Sequence, residues 1–194
     1  MSLDRPLAQK AILDLLKSLG HDPEQEPELE QTPALVVEAL ERDWLCGYSV
    51  DIGSLFASAI KNTLANAPIV VVSGLAVGTL CPHHLLPAEG TATVAYLPGG
   101  TLLGLGTIAR LVDAYSRRLS LQEQLGQNVI LALLNHSGAK GAYCRLDLRH
   151  ACLRLRGPKQ GDAVVTTTHV AGDFESLEGR ERLAEALRGE NSEC

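Results

Sequence analysis

The sequence predicts an α+β domain in which an antiparallel sheet carries its helices on one face, behind an N-terminal helical lead-in. Two observations predict it. Helical stretches come first, then two β-branched runs, two more helices and further β-rich segments, an order that suits an antiparallel sheet with helices gathered on one side. The length of 194 residues fits one domain and a lead-in, which we divide as 1–50 and 51–194.

The elements follow in order. In DRPLAQKAILDLLKSLG, Asp4 is the expected cap, Pro6 stands in the first turn, and Leu7, Ile12, Leu15, Leu16 and Leu19 form an apolar stripe that ends before Gly20. After the polar connector HDPEQEPELEQ, Thr32 as cap and Pro33 at the first helical position open a second helix through TPALVVEALERDWL. IVVVSG (69–74) and TATVAYL (91–97) are rich in β-branched residues and bounded by Gly or Pro, so both read as strands. GTIARLVDAYSRR (106–118) and LQEQLGQNVILALLN (121–135) read as two helices with a very short link. GAYCRLDL, CLRLR and AVVTTTHV are expected to close the sheet, and the charged tail from Glu175 is expected to be a peripheral helix.

The composition is that of a globular protein, with 45% hydrophobic and 21% charged residues and a formal charge of -6. This speaks against a nucleic acid polymer as partner. Residues 1–60 hold eleven acidic and four basic side chains, whereas 101–160 hold three and nine, so an anionic ligand would favour the second half. No secretory leader and no apolar run of membrane-spanning length is visible, which gives the expectation of a cytoplasmic protein with no membrane partner. Five cysteines, Cys46, Cys81, Cys144, Cys152 and Cys194, make a disulfide framework a poor expectation and shift weight to metal binding or packing.

Chemistry concentrates in TLCPHHLLPAEG, residues 79–90. Cys81-x-x-His84 offers a thiolate and an imidazole, the ligands that zinc prefers, from one tight loop between two expected strands. His150-Ala151-Cys152 offers a third. On a strand, positions 150 and 152 would face the same way. With Cys81, His84 and Cys152 as ligands, His83 and His150 stay unliganded. That is the pattern of a catalytic zinc, in which three protein ligands leave a position for water and nearby imidazoles move protons. Cys46, Cys144, His21, His136 and His169 read as packing or satisfied polar groups.

The stretches CPHHLLPAEGTATVAYLP, GLGTIARLVDAYSRRLSLQEQL and RHACLRLRG, in this order, resemble the GTP cyclohydrolase I family, and the likeness runs from TPALVVEAL to the TTT at 166–168. The resemblance implies a tunnelling fold and a toroidal homo-oligomer, usually a decamer, with active sites at subunit interfaces. It implies Zn2+ on Cys81, His84 and Cys152, and acid–base work by His83 and His150. The resemblance also gives Gln122 and Glu123 the guanine edge, Leu105 and Leu121 further substrate contacts, and Arg110 and Arg156 places in the phosphate set. Glu123 has a competing reading, because Ser120-Leu121-Gln122-Glu123 is a capping box whose Glu could serve the helix backbone. Set against the family, the guanine contact is favoured, since one carboxylate accepts from N1–H and the exocyclic amine together.

The phosphate side departs from the family pattern. Thr91 stands where a Lys is usual, Gly104-Leu105-Gly106-Thr107 replaces a G-L-S-K stretch, and Glu38 takes a basic position in the helix opened by Thr32-Pro33. At ~1.5–3 kcal/mol per charge-assisted contact, two or three losses would weaken a triphosphate about a thousandfold or more. The sequence therefore leans toward a guanine-type purine with few or no phosphates, opened at C8. The alternatives are a true GTP cyclohydrolase I making 7,8-dihydroneopterin triphosphate, and a non-catalytic purine-binding protein of the same fold.

Overall fold

The computed structural model describes residues 3–188, so Cys194 and the end of the expected C-terminal helix lie outside the described residues. Helix α1 (Arg5–Ser18) begins as the sequence requires: Asp4 Oδ1 accepts from Leu7 N–H at 3.1 Å, with Pro6 in the first turn. Helix α2 (Thr32–Ala39) starts differently. Gln31, already in the right-handed helical region, is its N-cap with no side-chain bond, so Thr32 lies inside the helix rather than capping it. The cause is the 3-10 turn Pro27–Leu29, which delivers the chain to Gln31 in a helical conformation and leaves no extended residue to act as a cap.

Four strands, β2 (Val70–Leu80), β3 (Pro87–Leu97), β5 (Gly141–His150) and β6 (Val165–Gly172), form an antiparallel sheet in the order β2-β3-β5-β6. Two short strands, β1 (Ile60–Lys61) and β4 (Thr101–Leu102), pair separately. β2 and β3 both run further toward the Cys81 loop than β-propensity marks them, because their ladder continues to Leu80 opposite Pro87.

Side-chain alternation decides where the core lies. Val94, Tyr96, Cys144, Leu146 and Leu148 point to one face. There they pack with Ile108 and Leu111 of α3 (Leu105–Ser116) and Leu125, Val129 and Leu133 of α4 (Gln122–Ser137). Ala95, Leu97 and Tyr143 point the other way and meet Phe174 and Leu183, the latter from α6 (Leu177–Arg188). The expectation of helices on one face thus holds for α3 and α4, whereas α6 covers part of the opposite face.

CLRLR is not a strand. β5 ends at His150 and the chain turns at once into the short helix α5 (Ala151–Arg154). The ladder has run out on both sides: β3 gives its last partner at Ala88, opposite His150, and β6 stops at Val165, opposite Leu148. Past His150 no neighbour remains to take strand hydrogen bonds, and a helical turn satisfies the backbone instead.

The segment after α2 is fastened to the domain at Gly47. Its N–H donates to Arg117 O at 3.1 Å, and the Arg118 guanidinium donates to Gly47 O at 2.9 Å and 3.2 Å. A Cβ at this position would lie 2.1 Å from Ala114 O, so only glycine permits the approach. No helix of the described residues is long and apolar enough to cross a membrane.

Candidate metal centre and purine site

The loop between β2 and β3 folds back on Cys81. Its N–H donates to Leu86 O at 2.9 Å, and its carbonyl accepts from Leu85 N–H at 2.9 Å. This turn holds Leu85 in the left-handed region at φ 52°, a conformation that costs a non-glycine residue about 1–2 kcal/mol. The geometry brings His84 Nδ1 to 3.7 Å from Cys81 Sγ, while His83 Nδ1 lies at 3.9 Å. The two imidazoles stand edge to face, with ring centroids 6.2 Å apart.

Cys152 arrives from α5. Donor atoms of Cys81, His84 and Cys152 all lie within 4.8 Å of one another, a metal-capable cluster of soft ligands. A tetrahedral zinc with a thiolate and an imidazole sets their donor atoms about 3.6 Å apart, so the Cys81–His84 pair already fits the ion. Period-two alternation was the wrong route to this result, since Cys152 is helical, yet His150 and Cys152 still face one pocket. Burial pushes the Cys152 thiol up, and the neighbouring Cys81 pushes it further, while Arg156 acts in the opposite sense.

A pocket of about 270 Å³ opens beside the cluster, walled by Cys81, His83, Leu121, Gln122, Glu123, His150 and Cys152 together with Thr79, Ser120 and Val165. The start of α4 reaches this place because the chain before it is stitched to the end of β2: Leu119 bridges Leu80, and Thr79 Oγ1 donates to Arg118 O at 3.3 Å. Burial lowers the pKa of His150, and the nearby Glu123 carboxylate partly offsets this. A larger cleft of about 740 Å³ between α1 and α2 is lined by prolines and surface charges and holds no Cys or His, whereas the smaller pocket gathers two of each.

The capping box does not form. Leu121 is the N-cap of α4, no side chain closes it, and the buried Ser120 Oγ has no hydrogen-bond partner. The Glu123 carboxylate is therefore left facing the pocket. Gln122, 4% exposed, has an engaged side chain: Nε2 donates to Leu146 O, Val165 O and Thr167 Oγ1, and Oε1 accepts from His150 Nε2 at 2.8 Å. Leu105 and Arg110 on α3, and Arg156 after α5, are exposed and do not line this pocket.

Thr79, Pro82, Ser120, Leu153 and Val165 line the pocket without having been expected there: Thr79, Pro82 and Ser120 lie inside stretches the sequence singled out, but no residue type marked them as pocket residues. Among the described residues, Cys144 and His136 take packing roles, whereas His169 Nε2 is buried with no hydrogen-bond partner, against the expectation of a satisfied polar group. Cys144 is fully buried, with its thiol pushed up to about 12 by burial. His136 stacks on Phe56 at 5.3 Å, and His21 bonds Glu26 at 3.0 Å.

The profile of the family described as GTP cyclohydrolase I matches residues 8–188. A protein of Alkalilimnicola ehrlichii named GTP cyclohydrolase 1 is 37% identical over 181 residues, covering 93% of this chain and 96% of its own. One of the same name from Chromobacterium violaceum is 37% identical, covering 95% and 88%, and one from Pelagibacter ubique is 35% identical, covering 86% and 82%. Among solved structures, the apo form of the archaeosine synthase QueF-Like aligns with 54% of this chain at 16% identity and a TM-score of 0.45, a likeness too slight to build on. The matched span contains both arms of the metal cluster and the α4 start that walls the pocket, and the chain belongs to the GTP cyclohydrolase I family.

Proposed function

We propose that this chain is a zinc-dependent hydrolase that opens the imidazole ring of a guanine-type purine at C8, with GTP the substrate that its relatives' name supports. The observation that carries the reading is the cluster of Cys81, His84 and Cys152, whose two cysteines share one pocket with two further imidazoles, His83 and His150. Bound there, Zn2+ supplies the Lewis acidity that makes water a nucleophile near neutral pH. Glu123 accepts from N1–H and the exocyclic amine, which orients the base with C8 toward the cluster. His150, protonated, donates toward N7 and makes C8 more electrophilic, and His83 moves the proton needed as the ring opens. A second water then hydrolyses the ring-opened formamide so that formate leaves, and in the GTP reading ribose rearrangement and closure with loss of water give 7,8-dihydroneopterin triphosphate. Leu105 and Leu121 are proposed as base-side contacts, Arg110 and Arg156 as phosphate contacts. The proposed assembly is a toroidal homo-oligomer, a decamer, whose interfaces bring α3 residues to the pocket of a neighbouring copy, and the proposed location is the cytoplasm.

A second reading, a purine with few or no phosphates, is favoured by what packing does not require. A side chain at Gly106 would meet nothing within 4 Å, so the missing hydroxyl is not forced by crowding. Thr91 is exposed, where a lysine would fit as readily, and Glu38 is engaged by Arg42 at 2.6 Å. The test is to incubate the zinc-loaded protein with GTP, guanosine, guanine, 8-oxoguanine and urate while following purine absorbance and formate. Turnover of GTP to a pterin precursor with the bases inert selects the first reading. Turnover confined to phosphate-poor purines selects the second. Tight purine binding without turnover would replace both with a binding protein.

A further inference from the structure

We infer that Gln122 is a positioning residue that acts through His150, fixing which imidazole nitrogen faces the substrate. The inference rests on the reading of His150 as an acid–base group and deepens it.

The amide has one admissible orientation. Its Nε2 lies 3.1 Å from Leu146 O, 2.9 Å from Val165 O and 3.2 Å from Thr167 Oγ1. Two of these partners are backbone carbonyls, which only accept, so the NH2 group must face them. Turning the amide over would set its oxygen against both carbonyls in a buried place, with lone pairs opposed and no donor left. Oε1 is thereby directed at His150 Nε2, 2.8 Å away.

An amide oxygen only accepts, so Nε2 must carry a proton whether the ring is neutral or charged. The nitrogen left to exchange a proton with a ligand is Nδ1. The anchor is rigid at its far end, because Leu146 belongs to β5 and Val165 and Thr167 to β6, and these strands are paired at Leu146↔Thr167 and Leu148↔Val165. Two strands hold the amide, the amide holds the imidazole, and the imidazole faces the pocket from the last residue of β5. A Gln that read the guanine edge with its NH2 would have to abandon these three acceptors.

The test is a double-mutant cycle on the zinc-loaded full chain, using whichever purine it turns over. Gln122→Leu should lower kcat by about 10- to 100-fold, the usual effect of removing a group that orients a working imidazole, with KM within about twofold. In the His150→Ala background the same substitution should cost nothing further. Multiplicative losses in the two backgrounds, or a KM that rises as kcat holds, would make Gln122 a direct substrate contact and overturn the inference. Gln122→Met, close to Gln in length and equally unable to accept from Nε2, serves in the cycle if the Leu variant does not fold.

A second readout needs no turnover. In 15N-histidine-labelled protein at alkaline pH, with His150→Ala as the assignment control, the neutral His150 ring should show Nε2–H and an unprotonated Nδ1. A proton on Nδ1 overturns the inference. Protonated Nε2 in a protein that opens no purine upholds the positioning of His150 and sinks the proposed chemistry instead.

Discussion

Cys152→Ala removes one of the three proposed ligands and tests the proposed metal centre. The donor atoms of Cys81, His84 and Cys152 lie within 4.8 Å of one another, close enough for all three to reach one ion directly. Zinc in a full four-ligand site is worth about 10–16 kcal/mol at neutral pH, or roughly 3–4 kcal/mol per ligand, which predicts a Kd about a hundred- to a thousandfold weaker for the variant. Protons add a second signature. Burial and the adjacent Cys81 raise the Cys152 pKa, so near neutral pH the metal must displace its proton. Affinity should then rise with pH, by about tenfold per unit for each thiol proton released, and Cys152→Ala should flatten that dependence by one proton. Competition against a chromophoric chelator across pH measures both quantities. An unchanged Kd, or an unchanged pH slope, would refute the assignment of Cys152 as a ligand.

Glu123→Gln should lower kcat/KM for a guanine-type purine by about 30- to 150-fold, the equivalent of about 2–3 kcal/mol of charge-assisted bonding, without lowering the melting temperature. Lower stability with unchanged kcat/KM would restore the capping role. Gly126→Ala gains about 1 kcal/mol of helix propensity but puts a Cβ 2.4 Å from His169 Cδ2, and overpacking costs about 1–3 kcal/mol, so denaturant unfolding should show net destabilisation. His169→Ala in the same chain should reverse the sign of the Gly126→Ala effect, and stabilisation by Gly126→Ala alone would contradict the packing argument. The Cys144 thiol, pushed up to about 12 by burial, keeps its proton in the fold after the unfolded chain has lost its own near about 8.5. Its contribution is whole below that lower value and is lost as pH rises toward the upper one, by at most about 1.4 kcal/mol per unit. The urea midpoint should therefore fall less steeply with alkaline pH in Cys144→Ala than in the parent, and equal slopes would refute the assignment.

Local signals wrote most of the architecture legibly. Asp4 before Pro6 marked α1, and β-branched runs marked the centres of β2 and β3, because these features act within a few residues. The errors fall where tertiary partners decide. Cys152 reads as strand by propensity, but a strand needs neighbours, and β3 and β6 end before it. Ser120-x-x-Glu123 has the letters of a capping box, yet the Leu80–Leu119 bridge holds the chain entering α4 in another course, and Leu121 becomes the N-cap. The Cys81–His84–Cys152 cluster was legible as residue types at a given spacing, whereas the Gln122–His150 bond joins positions 28 apart and depends on strand carbonyls that no motif encodes.

The central claim is hydrolytic opening at C8 beside a Cys–His–Cys zinc. It is tested most directly by supplying the zinc-loaded protein with GTP labelled with 13C at C8, and guanosine labelled in the same way, and following the label by NMR. The account predicts that the label leaves one of these purines as formate, that chelation stops the release and zinc restores it, and that His150→Ala retains zinc but releases formate about a hundredfold or more slowly. Label that stays in the intact purine, or formate released at the same rate after Cys152→Ala, would contradict it.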